Sequence, residues 1–136
     1  MKRILVTAAC LFVPSFGFAQ IACTPSDMFT VDKNGKPYTP LVASMFVDQT
    51  FEVDEVTGEH NLLGIGNSQS FDTTRILSSG AGASGTTILS TGNPGKDSSG
   101  AEIEEVQFFS IAPAGDGPRP FVFTEGSSFV MTGTCQ

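Results

Sequence analysis

The chain reads as an all-β domain. About eight short strands run as an antiparallel meander, either closed into a small barrel or stacked as a β-sandwich, with a disulfide joining the two ends. Three observations carry that expectation. Ser, Thr and Gly make up 40 of the 117 residues that follow position 19, and no stretch sustains apolar spacing at i, i+3 and i+4. Short runs rich in Val, Ile, Phe and Thr recur between turn signals. Two cysteines, Cys23 and Cys135, sit at the extremes of that segment.

Residues 1–19 are set apart as an export leader. Lys2 and Arg3 precede an apolar run from Ile4 to Val13, and Phe16-Gly17-Phe18-Ala19 places small residues where signal peptidase reads them. That run is about half the length a membrane-spanning helix needs, and no later one is longer, so the remaining chain is expected to have no transmembrane segment. Neither Cys10 nor Cys23 has the preceding residues of a lipoprotein signal. The expected product is a single domain, 20–136, in the periplasm or outside the cell. Its two cysteines are then an even pair in an oxidising compartment.

The elements follow in order. Phe29-Thr30-Val31 leads into Asp32-Lys33-Asn34-Gly35, and Asn-Gly is a strong hairpin signal. Strands are expected at Val42–Val47 and Thr50–Val56, the second with Phe51 and Val53 on one face and Glu52 and Asp54 on the other. Thr57-Gly58-Glu59 turns the chain into His60–Ile65, and Ser70–Leu77 precedes a Gly/Ser loop. Thr86–Ser90 is a short strand, with a polar loop from Thr91 to Gly100. Glu102–Ile111 is expected to be the longest strand, despite its acidic start, because Ile, Val and Phe dominate it. Phe121–Thr124 and Phe129–Thr134 complete the set. Pairing the first strand with the last would bring Cys23 to Cys135. Several of these strands are apolar on both faces, and cover of the outer face is the expectation.

Charge narrows the function. After the leader, five basic residues stand against fourteen acidic ones, a formal charge of −9. Nucleic acid is excluded as a partner, since its recognition needs Lys/Arg-rich faces. One histidine excludes any site requiring two imidazoles. Gly80–Gly85 matches G-x-G-x-x-G, but strand residues follow where a dinucleotide site needs a helix. Gly95-Lys96 lacks the first Gly and the Ser/Thr of a P-loop, and Asp32–Gly35 lacks the twelfth-position carboxylate of an EF-hand. Looser calcium contacts at Asp97 or Asp116 are the residual metal reading. No G-x-S-x-G surrounds a serine, and His60 is expected to face solvent beside Glu59. A carboxylate-dependent hydrolase is disfavoured because sugar sites stack on Trp or Tyr, and Tyr38 stands alone. No catalytic, cofactor or metal residue is therefore assigned.

The expected activity is binding. Glu52, Asp54, Glu55 and Glu59 surround one hairpin, and Glu102, Glu104 and Glu105 open another strand. Sharing a rim, they would attract a basic envelope or secreted protein and could inhibit it, with Phe46, Phe108 or Phe123 as an outward apolar anchor. Small acidic lysozyme inhibitors are similar in size and charge, without a shared motif. A small apolar-ligand carrier, with its ligand inside a Phe-lined barrel, is the alternative.

Overall fold

The computed structural model describes residues 20–62, 72–79, 84–96, 99–126 and 129–136, with the backbone alone at 93–96, 103 and 104. The leader, the far end of His60–Ile65, the start of Ser70–Leu77, most of Gly80–Gly85, and Asp97 lie outside the described residues.

The strands are β1 (Gln20–Val31), β2 (Pro37–Tyr38), β3 (Phe51–Asp54), β4 (Thr73–Ser78), β5 (Thr86–Lys96), β6 (Glu102–Ile111), β7 (Arg119–Glu125) and β8 (Phe129–Cys135). They form one antiparallel sheet in the order β2-β1-β8-β7-β6-β5-β4, with β3 also on β1. The sheet is a meander from β4 to β8, and β1 then adds to β8. The hydrogen-bonded path does not close among the described residues.

Alternation along each strand defines the inner face. Ile88, Phe109, Phe123, Met131 and Met28 are successive cross-strand partners on β5, β6, β7, β8 and β1, and all are buried. β3 pairs with β1 through Phe51↔Cys23, yet the Phe51 ring meets Phe109 at 5.9 Å and Phe121 at 5.7 Å. A strand hung on the β1 edge reaches β6 and β7 only because the sheet curls over its own inner face. The following turn completes the contact. Gly58 has φ +78°, and a Cβ there would come within 2.9–3.0 Å of Thr74, Ile76 and Ile88. Burial of these phenylalanines, at about 2–3 kcal/mol each, is the main apolar stabilisation.

The predicted disulfide is present. Cys23 and Cys135 are register partners on β1 and β8 and are bonded across a sequence separation of 112. The backbones of Ala22 and Gln136 exchange hydrogen bonds of 3.0 and 2.8 Å just beyond it. Pro25 is tolerated in β1 because the register shifts between Pro25 and Asp27, a bulge that needs no ladder donor there.

Three local expectations are corrected. Val42–Val47 is no strand: Leu41–Met45 is a 3₁₀ turn, following the extended Pro40. Ala43 in this turn and Phe46 just after it are buried three apart, which matches a 3₁₀ repeat and not a pleat. β5 does not stop at Ser90 but continues to Lys96, because a register shift between Gly92 and Gly95 lets it stay paired with β6. Glu102–Ile111 has the expected bounds but is shorter than β1, at 10 residues against 12.

Because it closes most of the chain into a loop, the disulfide constrains the unfolded state more than the native one. Replacing both cysteines by alanine should lower the unfolding free energy by about 4 kcal/mol. Urea unfolding of wild type and variant measures this, with the far-UV spectrum remaining β-type where the variant is folded.

Candidate functional site

Glu55 and Glu102, among the acidic residues singled out above, lie at opposite ends of the sheet. Glu55 follows β3 and joins the starts of two other strands. Its carboxylate takes two 2.8 Å bonds from the Arg119 guanidinium and one from the Thr86 hydroxyl, while Arg119 Nε donates to the Ala112 carbonyl. Burial alone would raise the Glu55 carboxyl, but Arg119 and Thr86 outweigh it and hold the group below the usual carboxylate range. Asp54 is buried as well, contrary to the alternating expectation. Its Oδ1 accepts from the backbone N–H groups of Val56 and Thr57, so it caps the turn. Glu52 and Glu59 are exposed.

Glu102 and Glu105 lie at the other end. Ile111 of β6 pairs with Thr86, the Glu55 partner, whereas Glu102 starts the same strand nine residues earlier, about 30 Å away along it. Glu55 and Glu102 therefore share no rim, for a reason of register alone. Glu104 is in β6 by its backbone. Glu105 and Glu102 instead line a groove of about 350 Å³ with Asp72, Thr73, Thr91, Gly92 and Val106.

The anchor candidates also separate. Phe46 and Phe123 are buried, while Phe108 is 37% exposed on the outer face of β6, on the same face as Val106 and near Val122 of β7, both also exposed. The outer face is thus open at these positions, where cover was expected. Charge and apolar surface meet at Val106, which belongs to both the groove and the exposed patch.

Behind the groove, on the inner face, lies a polar group that local patterning did not reveal. His60 is 4% exposed, not solvent-facing, and its ring stacks on Phe109 at 6.2 Å and meets Phe123 edge-on at 5.9 Å. Val53 bridges to it across the turn. Gln107, 1% exposed, is the register partner of Glu125 and lies between the imidazole and that carboxyl. Glu105 approaches Glu125 from the groove side. On the far flank, Ser90 is the partner of Gln107 and shares a 3.1 Å hydrogen bond with Thr74. Gln107 and Glu125 were legible only as alternating polar positions in β6 and β7. Their inward orientation depends on pairing with Phe-rich neighbours.

This chain matches no family model, and neither a curated protein nor a solved structure matches it. Its chemistry is therefore read from geometry. Among the described residues no group of three or more His, Cys, Asp and Glu could hold a metal ion, and no helix is long and apolar enough to cross a membrane.

Two predictions follow from these contacts. The Glu55–Arg119 pair is nearly buried, with both side chains 12% exposed, so Glu55→Gln should destabilise by about 2–3 kcal/mol, measured by urea unfolding at pH 7. Burial pushes His60 down to about 4, only partly opposed by Gln107. The folded imidazole stays neutral while the unfolded one gains a proton below about 6.5, so stability falls as pH drops from about 6.5 to about 4. The wild type should lose about 3 kcal/mol more than His60→Phe across that window. Equal acid losses in parallel denaturation series would contradict the buried neutral ring.

Proposed function

We propose that the chain is an exported binding protein that docks a basic protein on the outer face of β6. One observation carries the reading: Val106 shares a groove with Asp72, Glu102 and Glu105 and lies on the same face as Phe108. Carboxylates at the groove supply steering, which speeds encounter with a cationic surface. Phe108, Val106 and Val122 supply desolvated contact, which charge alone does not. The proposed partner places Lys or Arg side chains in the groove and apolar atoms over Phe108. The carrier reading has no comparable support. Phe rings pack against one another on the inner face, with Phe109 and Phe121 centroids 5.3 Å apart and Phe123 and Phe129 centroids 5.9 Å apart.

Lysozyme serves as a basic probe in a binding assay at low and moderate salt. Phe108→Ser should weaken binding about tenfold without changing net charge, chiefly through faster dissociation. Glu102→Gln with Glu105→Gln should slow association and flatten its salt dependence. Retention that responds to salt but not to Phe108→Ser would reduce the interaction to nonspecific charge attraction.

A further inference from the structure

We propose that Glu105 and Glu125 form a proton-sharing carboxyl pair that switches the charge of the groove and the tightness of the β6–β7–β8 end. The pair goes beyond the docking reading and does not depend on it.

Strand register sets the two residues near one another on the inner face. Glu125 is the register partner of Gln107, and Glu105 lies two residues before Gln107 on β6. Glu125 is 8% exposed, and its buried Oε2 has no hydrogen-bond partner; neither amide atom of Gln107 has one either. Among the described residues the surroundings supply little compensation. From β6 come Glu105 and Gln107, from β8 the apolar register partner Phe129, and beyond Gln107 lies His60. The described guanidinium groups are elsewhere: Arg75 is exposed on β4, and Arg119 is bound to Glu55 at the opposite end. Two ionised carboxylates held close together repel strongly, whereas one shared proton converts repulsion into a hydrogen bond. Burial, followed by the neighbouring Glu105, pushes the Glu125 carboxyl up to about 7.

Loss of the shared proton near neutrality puts a second negative charge at the end of the sheet. The nearest closure is the 2.8 Å bond from Gly126 N–H to the Val106 carbonyl, which ties the end of β7 to the groove strand. Repulsion between Glu105 and Glu125 opposes that closure. Because the folded pKa of Glu125 is raised, its linkage to stability is opposite in sign to that of His60. The fold loses stability as pH rises from the ordinary carboxylate range toward neutrality. A proton thus favours a closed, less charged groove, and its release favours a looser, more acidic one.

The test is a side-chain ¹³C NMR titration of the carboxyls in the free chain from pH 3 to 9, with amide exchange at Gly126. Glu125 should titrate near neutrality, and Glu105→Gln should lower its midpoint by about one pH unit by removing the like charge. Gly126 protection, corrected for base catalysis, should fall about tenfold between pH 6 and 8 in wild type and stay nearly constant in Glu125→Gln. An ordinary midpoint for Glu125, or one unmoved by Glu105→Gln, overturns the pair. Should Glu125→Gln fail to fold, the wild-type and Glu105→Gln titrations decide alone. The outcome is separate from lysozyme binding, since no partner is present.

Discussion

Curling of the sheet over Phe51 is the constraint on which the other features depend. A flat sheet would leave Phe109, Phe121 and Phe123 facing water on one side, with β3 idle on the β1 edge. Curling brings Phe51 onto two of these rings and carries the next turn across to Thr74, Ile76 and Ile88. Close approach is allowed by small residues where backbones meet. At Gly133, a Cβ would collide with the Thr24 carbonyl and the Phe121 ring. The Glu55–Arg119 pair, set where the turn meets β5 and β7, then fastens β3 and its turn in one orientation.

Elements that declare themselves locally were legible in the sequence. β6 is bracketed by Gly100 and Pro113, and its Ile, Val and Phe outweigh three glutamates, so its bounds follow from composition. The terminal disulfide follows from cysteine count and position. Val42–Val47 was misleading because β-branched residues favour strand only when a partner edge exists. Here Pro40 starts a turn, with Ala43 and Phe46 buried and Val47 packed against the core. The end of β5 was hidden by Gly92, Asn93, Pro94 and Gly95, a run that reads as loop yet serves as a bulge.

The site was less legible than the fold. Counting acids locates Glu102 and Glu105, but their separation from Glu55 is a property of register, which no local window contains. His60 beside Glu59 has the signature of an exposed turn, and its burial depends on Phe109 and Phe123, nearly fifty residues or more further along. Once the ring is buried, Gln107 becomes the polar link between it and Glu125. Such a polar group inside an apolar sheet is costly unless satisfied, which marks it as the place where composition and packing disagree.

The junction of the chain ends has a mechanical meaning. Ala22 and Gln136 are hydrogen-bonded to each other, and Cys23 and Cys135 are joined covalently one residue further in. Tension applied between Ala22 and Gln136 therefore runs through the disulfide, and the strands between the cysteines carry none of the load. Gln20 and Gln136 both lie at the end opposite Glu102. A tether or fusion attached at Gln136 would hold the domain at its clamped end, with the acidic groove pointing away from the anchor.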